Sequence, residues 1–101
     1  MAESSHPLSI RLEQLQGVEV GTPVLLQGYP VGRVEKVKLK REGTAYYFIA
    51  KASINEDIVL WEGTKATIIG QGLSGTALSL ALPPADQREV ELKGGATLAG
   101  E

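Results

Sequence analysis

Apolar and polar residues alternate along most of this chain. Leu8, Ile10 and Leu12 interleave with Ser9, Arg11 and Glu13, and Val37 and Leu39 stand between Lys36, Lys38 and Lys40. Tyr46, Phe48, Ala50, Ala52 and Ile54 form a longer series against a more polar set ending in Lys51, Ser53 and Asn55. Thr76, Leu78, Leu80 and Leu82 form another against Ala77, Ser79 and Ala81. Successive side chains of a strand point to opposite faces, so a period of two predicts strands with one buried face. Turn residues separate the runs: Gly21-Thr22-Pro23, Gly28-Tyr29-Pro30 and Glu62-Gly63. Arg41-Glu42-Gly43-Thr44 predicts a hairpin between the lysine-edged and aromatic strands. Pro83-Pro84 ends the leucine strand, because proline has no amide hydrogen for the ladder.

The apolar face changes register between Val34 and Val37, which predicts a β-bulge near Glu35-Lys36. Val90-Glu91-Leu92-Lys93 and Ala96-Thr97-Leu98 predict a last short hairpin around Gly94-Gly95. Residues 12–18 are the sole helix candidate, and a short one. Many short strands with regular turns predict an all-β fold, and 101 residues leave room for one small barrel rather than two layers of domains. The expected organisation is a flexible N-terminus over residues 1–7, one β-barrel domain over 8–98, and a C-terminal end over 99–101.

Composition narrows the chemistry. A net charge of −2 argues against a general nucleic-acid binder, whose affinity comes from surplus Lys and Arg. Without cysteine there is neither a disulfide framework nor a thiolate metal site. His6 is the single histidine and reads as part of a disordered terminus, so no catalytic residue, cofactor site or metal site is assigned. Glu56 and Asp57 read as a solvated turn. No apolar run approaches the ~18 residues of a membrane helix. As it stands the chain reads as soluble, either natively or because an export signal or anchor lies outside it.

Residues 70–75, Gly-Gln-Gly-Leu-Ser-Gly, match the dinucleotide pattern G-x-G-x-x-G. That pattern binds a pyrophosphate only where a helix follows, because the phosphate sits at the helix N-terminus. Here an alternating run and two prolines follow, which excludes the reading. What remains is a glycine-flanked loop carrying one leucine. Glycine permits positive φ, so the loop can turn sharply and project its tip. An apolar tip is costly unless it folds inward or meets a partner. On its own residues, Leu73 is expected to tuck into the core. Lys36, Lys38, Lys40 and Arg41 make a basic stripe beside Tyr46, Tyr47 and Phe48. Such a stripe suits single-stranded nucleic acid, an acidic lipid headgroup, or simply an outward face whose lysines discourage edge pairing. The placing of Tyr46 and Phe48 on the apolar side favours the last.

Two glycine blocks resemble the MCE (mammalian cell entry) domains of bacterial and chloroplast lipid transporters. The first is Gly17-Val18-Glu19-Val20-Gly21-Thr22-Pro23-Val24, then Gly28, then Val31-Gly32-Arg33-Val34. The second is Gly72-Leu73-Ser74-Gly75, placed like the family's G-L-L-G loop before the last core strand. Between them Ala66 and Ile68 match the end of a family strand, and the likeness runs over about residues 8–82. The resemblance implies a seven-stranded β-barrel and a non-catalytic role. It further implies a homo-hexameric ring whose central pore passes phospholipid or another lipid between the membranes of a cell envelope. Partners implied are an ABC permease and ATPase, or further stacked rings, with no nucleic acid. The location implied is the periplasm, with inner-membrane anchoring through a helix that this sequence does not contain. Leu73 would face the pore with Ser74 beside it. Ser74 replaces the usual second leucine, which implies a wider or less apolar constriction.

Overall fold

The computed structural model describes residues 4–100. Met1, Ala2, Glu3 and Glu101, which belong to the two expected end segments, lie outside the described residues. Seven strands form one sheet: β1 (Ser5–Leu12), β2 (Pro23–Leu26), β3 (Tyr29–Glu42), β4 (Ala45–Asn55), β5 (Lys65–Gly70), β6 (Thr76–Ala81) and β7 (Thr97–Ala99). Their order across the sheet is β5-β6-β2-β3-β4-β1-β7. The sheet curls until its edges meet at a parallel bridge between Ala66 and Gly100. The all-β seven-stranded barrel expected from the sequence is thus the observed fold. Among the described residues there is no α-helix, and no helix is long and apolar enough to cross a membrane.

The alternating positions fill the barrel. Leu8, Ile10 and Leu12 from β1, Val24 from β2, Val31 and Val34 from β3, Ala50, Ala52 and Ile54 from β4, and Leu78 and Leu80 from β6 are buried in one core. The ladder skips between Val34 and Lys36, so Glu35 is the extra residue of the expected bulge, and both Val34 and Val37 face inward. Gln27 and Gly28 both have positive φ between the paired residues Leu26 and Tyr29, which makes a two-residue primed hairpin turn. The chain break therefore lies before Tyr29, and Pro30 sits inside β3. A register shift between Val24 and Leu25 accommodates it there.

Four expectations are corrected. β1 begins at Ser5, before the first alternating leucine, and pairs with β4 from Ser5↔Asn55 onward. His6 therefore belongs to a strand, and its Nε2 donates to the Ile58 carbonyl at 3.1 Å. The helix candidate over residues 12–18 does not form: Leu12 ends β1 and residues 13–18 are irregular, with a turn at Gln16 and Gly17, both at positive φ, which no α-helix tolerates. The final hairpin around Gly94-Gly95 does not form. Glu91 bridges Trp61, while Thr97–Ala99 runs parallel to β1, with Ile10 opposite Leu98. The C-terminal segment closes the barrel against β1 instead of pairing locally; residues 82–96 carry the chain there from the end of β6, and the crossover between the parallel strands β1 and β7 is the whole intervening chain. Lastly, Tyr46 occupies the inward face but is exposed, as is Leu39, because the β3–β4 hairpin outruns the barrel beyond Leu12↔Phe48.

The register sorts the loops into two ends. The 13–22 connection, the 71–75 loop and the β3–β4 hairpin tip lie at one end; the 27–28 turn and the 56–64 and 82–96 connections lie at the other.

At Gly32 an added Cβ would run into the carbonyl oxygen of Ser53 on β4 and meet the Ile54 side chain at 2.9 Å. Backbone cannot yield as a flexible side chain can. Gly32→Ala is expected to cost about 2 kcal/mol or more, a fall in Tm of roughly 8–16 °C. Gly70→Ala, whose Cβ meets nothing within 4 Å, is the near-neutral control in the same thermal melts.

Candidate functional site

Between β5 and β6 the paired ends Gly70 and Thr76 are joined by five residues. The Gln71 N–H donates to the Gly75 carbonyl at 2.7 Å, and the Gly75 N–H returns to the Gly72 carbonyl at 3.4 Å. Gly72–Ser74 form a single 3-10 turn inside that bracket. The turn starts with Gly72 at φ 59° and ends with Gly75 at φ 91°, a conformation that side chains resist. With its backbone held at both ends, the turn carries Leu73 clear of the barrel. Leu73 is fully exposed, at 109% of the reference surface. The expectation that it tucks into its own core is overturned: the turn holds the leucine on the solvent side of the barrel. The side chain of Ser74 lies outside what the structure describes, and its backbone completes the turn.

The first glycine block meets this loop in space. Thr76, the first residue of β6, donates its hydroxyl to the Gln16 carbonyl at 3.4 Å. Gly17, at φ 92°, passes so close that a Cβ there would lie 2.6 Å from Thr76 Oγ1. Downstream, the Glu19 N–H donates to Thr22 Oγ1 at 2.8 Å and the Thr22 N–H to the Glu19 carbonyl at 3.0 Å. The Gly21 N–H then bonds to Val34 and the Val34 N–H to Thr22, both at 2.8 Å, which ties the turn to β3. Pro23 opens β2, and Val24, Val31 and Val34 are buried behind the turn. Gly17 and Gly21 therefore belong to the seat of the loop, while Gly28 and Gly32 lie along the β2–β3 hairpin that supports it.

A shallow groove runs between the two blocks, lined by Gly17, Val20, Pro23, Gly75 and Thr76 among others. Val20 is 65% exposed and gives the loop a second apolar neighbour. Sequence reading did not single out Val20, Gln16 or Thr76. The Gln-Gly pair occurs at 16–17, 27–28 and 71–72, and both of its residues take positive φ only at the first two, so the pair alone does not mark the seat of the loop.

After Gly75 comes the strand β6, so no helix N-terminus stands behind the loop to hold a pyrophosphate. Among the described residues no three His, Cys, Asp or Glu side chains are grouped to hold a metal ion. A larger hollow lies by the bulge, lined by Ser4, Ser5, Gly32, Arg33, Glu35, Ser53 and Asn55, and its one carboxylate, Glu35, pairs with Arg33 at 3.7 Å.

A glycine-hinged leucine held out from a small closed β-barrel is the architecture of an MCE domain. The chain belongs to the MlaD protein family, whose model matches residues 4–85. It is thereby an MCE module of the lipid-transport class. Among solved structures it is similar to a chain of the Acinetobacter MlaFEDB complex in its ATP-bound Vtrans1 conformation. The TM-score is 0.81 at 10% identity, over 100% of this chain and 78% of that one. At that identity the likeness is one of fold. No curated protein matches the chain.

Gly17→Ala is expected to destabilise by about 1–3 kcal/mol through its backbone strain and its clash with Thr76. Adding Thr76→Ala removes the clash and leaves the strain. The double variant should therefore be more stable in urea titration than the sum of the single effects.

Proposed function

We propose that this chain is a non-catalytic pore module that passes phospholipid or a related lipid. The observation that carries the reading is the full exposure of Leu73 on a loop whose backbone is bracketed by its own hydrogen bonds. Leaving a leucine in water forgoes roughly 1.5–3 kcal/mol of burial. A loop held so firmly in that position is explained by a partner for the leucine. Six copies around an axis would bring six Leu73 side chains into one apolar collar, with the Val20 side chains behind them. Acyl chains lose about 0.8 kcal/mol of hydration cost per sheltered CH₂, so a leucine collar eases their passage without binding tightly at any point. A single leucine per loop, with Ser74 following, gives a wider and more polar collar than two leucines would.

In this reading the module works in the cell envelope, anchored at the inner membrane through a segment outside this sequence. An ABC permease with its ATPase is the proposed source of energy, since the structurally similar chain belongs to an ATP-bound complex. Stacked rings are the other arrangement compatible with the barrel. The alternative, single-stranded nucleic acid on the lysine stripe, loses its stacking platform. Tyr47 lies under the Arg11 guanidinium at 3.8 Å, and Tyr46 and Phe48 lie on the opposite face of the hairpin.

Leu73→Asp in the full transporter is expected to abolish lipid transfer between donor and acceptor vesicles while leaving the Tm within about 1 °C, because an exposed side chain contributes little to the fold. Leu73→Ile should retain transfer. Normal transfer by the aspartate variant would remove Leu73 from the pore.

A further inference from the structure

The lysines left aside by the pore occupy one wall of the barrel. Lys36, Lys38 and Lys40 share the outer face of β3, and Lys51 of β4 stands directly opposite Lys36. Residues two apart on a strand are separated by about 6.7 Å, so the four ammonium groups form a compact grid. The other partners on this face are Ile49, opposite Lys38, and Tyr47, opposite Lys40. Among the described residues none of the four lysines has a carboxylate within ion-pair distance, whereas Arg11 pairs with Glu13 and Glu42, and Arg33 with Glu35. Like charges directly opposite on paired strands are destabilising. The strain shows at Lys38, where the neighbouring charges of Lys36, then Lys51 and Lys40, hold its pKa below the usual lysine range.

Composition does not explain this wall, because the chain as a whole carries net charge −2. An acidic protein with a local cationic face has a strong charge asymmetry, which orients it toward an anionic surface.

We propose that the outer wall of β3 and β4, through Lys36, Lys38, Lys40 and Lys51, docks the barrel onto an anionic lipid bilayer. The wall is a sheet face with point charges and no fixed fork geometry. Ammonium groups on flexible stems suit headgroups that diffuse and rearrange beneath them, while planar paired recognition calls for arginine. Each lysine near an anionic membrane surface contributes attraction that fades within a Debye length. Single-stranded nucleic acid fits less well, because the one aromatic ring on this face is covered by Arg11. The docking surface goes beyond the pore reading and does not depend on it, since Leu73 sits on the β5–β6 loop rather than on this wall.

The experiment is flotation of the protein with phosphatidylcholine vesicles, with and without phosphatidylglycerol, at low and at high salt. The expected result is binding to the phosphatidylglycerol vesicles alone, lost at high salt. Replacing all four lysines by glutamine should weaken that binding about a hundredfold or more, and Lys38→Gln alone roughly fivefold. The four-arginine variant should bind as the native protein does, and Glu56→Gln with Asp57→Asn should change nothing. Equal binding to neutral vesicles, or undiminished binding by Lys38→Gln and the four-glutamine variant, would overturn the proposal. So would salt-sensitive binding of oligo-dT, or of a second copy, with no binding to anionic vesicles.

Discussion

The approach of Gly17 to Thr76 is the contact on which the functional end of this barrel depends. It brings a turn that precedes β2 against the first residue of β6, fifty-nine positions later, with no room for a Cβ between them. From that contact the 17–22 turn is tied onward to β3 through Gly21, Thr22 and Val34. The 71–75 loop stands on this platform and is closed by its own backbone bonds. Its pose is thus set by the barrel and its conformation by its glycines. The leucine at the tip needs no contact of its own to remain in place.

The rest of the molecule supports that arrangement economically. Small residues, Ala50, Ala52, Ala66 and Ala77, alternate in the core with Leu, Ile and Val, which allows a narrow barrel to close around few side chains. Closure itself comes from the C-terminal segment, where Gly100 fits so near Leu12 and the Arg11 carbonyl that a larger residue would not pass. Two surfaces remain unexplained by folding: the apolar tip at one end, and the lysine wall of β3 and β4. They lie on different elements and carry different chemistry, one suited to acyl chains and the other to anionic headgroups.

Much of this was legible in the sequence, for physical reasons. The period of two revealed the strands, because a one-layer barrel buries only one face of each. The bulge at Glu35 was visible because a register slip exchanges the faces of every residue beyond it, and Val34 and Val37 could not otherwise both be buried. The final strand was misplaced because its pairing is parallel and its partner, β1, lies at the far end of the chain. Local alternation carries no information about such a partner. Tyr46 looked buried because its parity is right, yet parity says nothing about where a hairpin outruns its neighbours. Leu73 was the sharpest failure of residue-level reasoning. Hydrophobicity alone placed it inside, while the backbone of Gly72 and Gly75 places it outside; only the family resemblance pointed the same way as the structure. Gln16 and Thr76 escaped because their role is a contact between distant segments.

A common pore requires the 71–75 loops of several copies to converge. These 101 residues contain no cysteine, so a single thiol introduced among them reports unambiguously once any cysteine in flanking segments is replaced by serine. Leu73→Cys and Tyr29→Cys, at opposite ends of the barrel, can be compared in the full-length protein with a short bis-maleimide linker, followed by denaturing electrophoresis. Convergence predicts efficient covalent dimers from Leu73→Cys and none from Tyr29→Cys. Absence of dimers from Leu73→Cys, or equal yields from both positions, would contradict a common pore.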